Sequence, residues 1–267
     1  MILFYNSIAL YSFLGWKIND IPELQTENYL EIEYTSIKRY DGGTLSLLPA
    51  FNYFRQISQK AYLFVGYDFR SLDNGYYFKR SSMSGNVVLG NYFRDVFQNF
   101  SVFGAVSLPD TDDTRGLGTD SIDFSIWGIL TKKISKKMSF RGSVGFGIWG
   151  RSDLNNKSYL LDKDDLVLGE RRVMFGPSST NGTVDGASGQ EDVILYDVIV
   201  KYRSNKLELY TGIEGFTNGV FYQNISQGKI GMKYYISPLN GINTMFSTDL
   251  LEDSMKSSFS IKYFHGF

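Results

Sequence analysis

With 267 residues the chain can build one large β domain or two small ones, and its 27 Lys+Arg against 28 Asp+Glu leave no basic excess for a nucleic-acid partner. The absence of cysteine excludes disulfides and thiolate metal sites, and no apolar run reaches the roughly 18 residues of a membrane-crossing helix. Aromatic residues at 16%, nearly all Tyr and Phe, with 27 Gly and only 5 Pro, instead suit many pleated strands carrying aromatic belts.

Residues 1–27 read as an apolar segment and lead-in. Met1–Trp16 is largely apolar but has neither a basic start nor a small-x-small cleavage site. Two readings stay open for it: the remnant of an export signal, or a segment packed in or under the fold. Alternation begins at Asn28–Tyr40, where Leu30, Ile32 and Tyr34 oppose Glu31, Glu33 and Thr35. The run Asp41–Gly43 is a turn signal. Thr44–Phe54 is a second strand, in which Pro49 predicts a bulge because proline cannot donate to a ladder. Lys60–Ser71, Met83–Arg94, Asn99–Leu108, Ser121–Thr131 and Met138–Trp149 follow as strands three to seven. Asp192–Arg203, Leu207–Phe216, Asn224–Ile236, Ile242–Leu250 and Ser254–Phe267 bring the count to about twelve.

Strand length and loop sorting separate a membrane barrel from a soluble sandwich. Most runs exceed the mode of about 5–6 residues for soluble strands and match the roughly 9–11 that a tilted membrane strand needs. The turns Gln56–Gln59, Asp95–Gln98, Lys132–Lys137, Ser204–Lys206 and Ser237–Gly241 fall at one end and are all short. The long loops Leu72–Ser82, Pro109–Asp120 and Gly150–Glu191 fall at the other. Short periplasmic turns, long extracellular loops and an even strand number are the outer-membrane pattern.

The last strand adds a resemblance. Phe259, Ile261, Tyr263, His265 and Phe267 share one face, and the chain stops on an aromatic residue. This resembles the C-terminal assembly signal of bacterial outer-membrane β-barrels, with Phe259, Ile261, Tyr263 and Phe267 as its apolar positions and His265 where another aromatic is usual. It implies the barrel-assembly machinery as a partner.

A second resemblance is internal. The run VSLPDTDDTRGLGTDSID over residues 106–123 closes a strand on Leu108 and Pro109, passes an acidic loop, and reopens on Gly116–Thr119 and then Asp123 and Phe124. It resembles the outer-membrane transporter family associated with the meta-pathway of phenol degradation. It departs from that family at Asp110–Asp112, where Thr-Gly-Asp is usual, and covers residues 86–150 best. The resemblance implies a barrel and uptake of small, often apolar, molecules. It brings no catalytic residue.

Enzymatic readings find little support. A Ser-His hydrolase needs a histidine beside its serine, and the sole histidine, His265, reads as a belt residue at the chain's end. The acidic clusters Asp110/Asp112/Asp113 and Asp162/Asp164/Asp165 lack the glycine and distal glutamate of a Ca²⁺ loop and read as solvated charge. No cofactor or metal is called for.

The alternation also sorts an inward face. If Leu30, Val65, Ile126, Val198, Met232 and Ile261 meet lipid, then Glu31, Glu33, Asp68, Arg70, Asp123, Trp127, Arg141, Asp197, Lys201, Glu208, Glu214, Lys229, Lys233 and Lys262 line the lumen. Tyr62, Phe64, Trp149, Tyr210, Phe216 and Tyr235 share that parity. The expectation is one all-β domain over residues 28–267: a transmembrane antiparallel up-and-down β-barrel of about twelve strands in a bacterial outer membrane. Loop 150–191 stands outside, and a narrow lumen passes a small, apolar or amphipathic solute. The alternatives are a non-conducting barrel that acts as a scaffold or contacts a surface partner, and a soluble β-sandwich or lipid-binding barrel.

Overall fold

The computed structural model describes residues 26–39, 44–73, 81–108, 122–150, 190–218, 223–250 and 255–267. They form twelve strands: β1 (Asn28–Arg39), β2 (Thr44–Ser58), β3 (Ala61–Asp73), β4 (Ser81–Phe97), β5 (Phe100–Leu108), β6 (Asp123–Lys133), β7 (Met138–Gly150), β8 (Gln190–Ser204), β9 (Leu207–Asn218), β10 (Gln223–Ser237), β11 (Asn240–Asp249) and β12 (Met255–Gly266). Every strand pairs antiparallel with its chain neighbours, and β1 pairs β12, so the sheet is a closed up-and-down barrel. Closure leaves no edge, which is how a sheet satisfies its backbone groups in lipid.

The seam is drawn tight at the end that carries the chain terminus. Asn28 N–H donates to the Phe267 carbonyl and Phe267 N–H to that of Asn28, both at 3.0 Å. Thr26 Oγ1 donates to the same Asn28 carbonyl, and the Tyr53 hydroxyl to Asn28 Oδ1, each at 2.7 Å. At this end the strands are joined by turns of two to four residues, such as Gln59–Lys60 and Asn205–Lys206. Asn99 and Asn205 take φ of 63° and 52°, which asparagine tolerates better than most residues.

The bulge expected at Pro49 is present. Glu33 pairs Ala50 while Thr35 pairs Leu47, and on the other side Asp68 pairs Ala50 while Arg70 pairs Leu47. One extra residue of β2 is therefore accommodated against both neighbours. The turn expected at Asp95–Gln98 lies later. β4 runs on to Phe97, which pairs Phe100, and the reversal is at Gln98–Asn99. Residues 94–96 form a bulge, with Asp95 at φ 48° and its N–H donating to Ser101 Oγ at 3.1 Å. A side chain thus captures the backbone donor that the broken ladder leaves.

The side chains sort oppositely to a soluble domain. Large apolar residues such as Ile126, Val198, Ile230 and Phe246 stand on the outer wall, while Glu31, Asp197, Lys229 and Lys262 are almost wholly buried inside. The exposed tyrosines Tyr202, Tyr234 and Tyr263, with Phe97 and Phe267, stand near the turn end. An apolar exterior is suited to a bilayer, whose core could not solvate the charges that the barrel keeps inside. No helix among the described residues is long and apolar enough to cross a membrane.

Candidate functional site: the barrel lumen

Because side chains alternate across a strand, each strand gives the lumen every second residue. Glu31, Glu33, Trp127, Arg141, Asp197, Glu208, Lys229 and Lys262 are buried there, and Lys201, Glu214 and Lys233 are half-buried. The strands that carry Asp68, Arg70 and Asp123 are described, but those three side chains lie outside the described residues, as do those of Trp149 and Phe216. The clusters Asp110/Asp112/Asp113 and Asp162/Asp164/Asp165, the segment 1–25 and most of loop 150–191 also lie outside them. Among the described residues no group of His, Cys, Asp or Glu could hold a metal ion.

The charges form three clusters on the wall from β8 round to β1. Lys262 Nζ is 3.1 Å from Glu31 and 3.3 Å from Glu33. Glu31 also accepts from Asn52 Nδ2 and the Tyr29 hydroxyl, each at 3.3 Å, and Glu33 from Thr35 Oγ1 at 2.6 Å. Lys229 Nζ donates to Asp197 at 2.5 Å and to Glu214 at 2.9 Å. Asp197 and Glu214 are direct register partners on β8 and β9, so the ammonium separates two like charges set side by side. Lys201 stands 3.8 Å from Glu208.

An aromatic layer starts on β12 and β1, beside the Lys262 cluster, and runs round to β5. Phe264 stacks on Tyr29 at 6.0 Å, Tyr29 meets Phe54 at 6.2 Å, Phe54 meets Phe64 at 4.6 Å, and Phe64 meets Phe103 at 5.9 Å. Tyr62 and Tyr92 continue the layer at 6.2 Å. Lys233 lies 4.7 Å from the Phe264 ring, and on the charged side Arg203 lies 4.3 Å from the ring of Tyr235. Two rings lie flat along the wall because their register partner is glycine. Trp127 covers Gly145, and Tyr210 covers Gly231 to reach Asn243 Oδ1 at 2.9 Å.

Tyr29, Phe54, Tyr92, Phe103 and Phe264 were not among the sequence candidates. Their parity was readable. Phe264 breaks the apolar-out pattern of β12 because it belongs to this inner layer. On the outer face Phe259, Ile261, Tyr263 and Phe267 are exposed together, and the His265 ring stacks on Phe267 at 5.6 Å.

A comparison with protein-family profiles gives no match to the chain, and one with curated proteins gives none either. Solved structures do match. The NanC porin superposes with a TM-score of 0.52 at 9% identity over 89% of this chain and 98% of its own. The translocator domain of the autotransporter NalP from Neisseria meningitidis superposes with a TM-score of 0.51 at 9% identity over 100% of this chain and 99% of its own. One is a porin and the other a translocator domain, so the shared architecture does not choose between functions. Closed topology, an apolar outer wall and these likenesses together give the chain the fold of a bacterial outer-membrane β-barrel.

Proposed function

We propose that the chain is a narrow outer-membrane channel for a small amphipathic solute. The observation that carries this reading is the divided lining of the lumen, with an aromatic layer from β12 round to β5 beside shared lysine–carboxylate clusters on the strands from β8 to β1. A barrel that needed only a filled interior would gain as much or more from apolar packing, since replacing buried ion pairs by hydrophobic residues is often neutral or stabilising. A wall of rings beside a wall of charges instead offers both halves of an amphipathic molecule a surface. With twelve strands and large inward side chains the path is narrow, well below porin dimensions.

Single-channel recording of refolded protein in a planar bilayer, with small neutral and charged solutes as blockers, tests this. A small steady conductance reduced by one solute class supports the channel. A folded, heat-modifiable barrel without conductance overturns it and favours a non-conducting scaffold whose loop 150–191 meets a surface partner. The near-complete burial of Glu31, Asp197, Lys229 and Lys262 is the observation on that reading's side.

The resemblance of residues 106–123 to the phenol meta-pathway transporters bears on the apolar character of the solute. It stands on sequence alone, because most of that run lies outside the described residues. The outward row Phe259, Ile261, Tyr263 and Phe267 is proposed as the signal read by the assembly machinery. We read the chain as a transporter without catalytic residues of its own.

A further inference from the structure

Two buried polar atoms on neighbouring strands, each facing the lumen, lack a hydrogen-bond partner among the described residues. Ser143 on β7 and Asp197 on β8 are direct register partners, 4% and 2% exposed. Ser143 Oγ and Asp197 Oδ2 have no hydrogen-bond partner among the described residues, although Asp197 Oδ1 holds Lys229. Unsatisfied polar groups in a dry interior cost roughly 1–3 kcal/mol each, and a barrel that merely filled its lumen would pair or remove them. One step along β7, Gly145 leaves its space to the Trp127 indole, and Leu195 is the register partner of Gly145 on β8. The polar pair is therefore bordered by a flat aromatic surface and an aliphatic side chain.

We propose that Ser143, Asp197 and Trp127 form a subsite for a hydroxyl group of a neutral solute, whose ring or apolar face packs on the indole. This rests on the channel reading and names the class of solute that it passes. A hydroxyl matches both orphan atoms at once, accepting from the Ser143 hydroxyl and donating to the Asp197 carboxylate. A charged group fits worse. Arg141, the adjacent inward residue of β7, and Lys229 both act on Asp197, and Lys229 also holds Glu214, so a further cation or anion would be buried uncompensated. The shared chemistry is a hydroxyl beside a flat face of low polarity, which both aromatic alcohols and sugars supply.

The test uses refolded barrel in detergent with Trp16→Phe and Trp149→Phe, so that Trp127 is the sole tryptophan. Its emission is titrated with benzyl alcohol and methyl glucoside, with their O-methylated counterparts, and with benzylamine. The expected result is a saturable change with at least one hydroxylated probe and markedly weaker binding of its ether. Ser143→Ala should weaken the hydroxylated probe roughly threefold to tenfold, the worth of one neutral hydrogen bond. Ser260→Ala, an inward serine on β12, should not. Preference for benzyl alcohol or for methyl glucoside assigns the source. Equal binding of alcohol and ether, tighter binding of the amine, an unchanged Ser143→Ala or no saturable change with any probe overturns the subsite. Conductance is read separately. A barrel that conducts without hydroxyl preference refutes the subsite alone, and one that binds the alcohol without conducting refutes the channel alone.

Discussion

Lys262 on the last strand holds Glu31 and Glu33 on the first, so one buried ammonium clamps two carboxylates across the line where the barrel closes. Removing one member of a buried ion cluster leaves the others uncompensated, at a cost of about 3–5 kcal/mol. Lys262→Met should therefore lower the urea midpoint of unfolding in vesicles, read as loss of heat-modifiable migration. The triple variant Glu31→Gln, Glu33→Gln, Lys262→Met should regain much of the loss. Wild-type unfolding of Lys262→Met would show that the clamp does not hold the seam.

Val198 distinguishes lipid from water on the outer wall. It is 37% exposed between two inward residues, Asp197 and Ile199, and pairs Ile213 in mid-strand. In a bilayer Val198→Lys should cost about 2–4 kcal/mol and reduce the folded fraction in vesicles, while Val198→Leu folds as wild type. A freely folding, detergent-independent Val198→Lys protein would return the chain to the soluble alternatives.

Strand identity was legible because the signal is local. The opposition of Leu30, Ile32 and Tyr34 to Glu31, Glu33 and Thr35 already states which side of β1 is buried, whatever β1 pairs with. Contacts that depend on register were not. Nothing near Lys229 says that it meets Asp197, two strands away across β9, or that the acid beside Asp197 is Glu214. Phe264 departs from the apolar-out alternation of β12 because it stacks on Tyr29 and lies opposite Gly241, neither of them near in sequence. The end of β4 was misplaced for a related reason. Asp95 has the composition of a turn, but the strand resumes because Phe97 pairs Phe100, and the bulge absorbs the difference.

Gly231 and Tyr210 test whether the flat lining depends on glycine. A Cβ at Gly231 would fall on the Tyr210 ring, which is fixed by its hydrogen bond to Asn243. Gly231→Ala should push the ring off the wall and break that bond, whereas with Tyr210→Ala the same change meets no ring. The double-mutant cycle should show coupling of about 0.5–3 kcal/mol in unfolding free energy. Additive effects would mean that the ring has another place to lie.

Lys229 gives the sharpest test of the path itself. Its ammonium is wholly buried between Asp197 and Glu214, so replacing it makes the local field more negative without altering the outer wall. If ions pass this level, Lys229→Gln should shift the reversal potential in a KCl gradient towards cation selectivity, and Glu214→Gln should shift it the other way. Glu214 is the gentler substitution because its side chain is 12% exposed, and Lys229→Arg keeps the charge as a control. Conductance that persists with unchanged selectivity in both neutralised variants would place the conducting path away from the Asp197–Glu214 wall. The ion cluster would then be a brace between β8, β9 and β10, comparable to the Lys262 clamp at the seam.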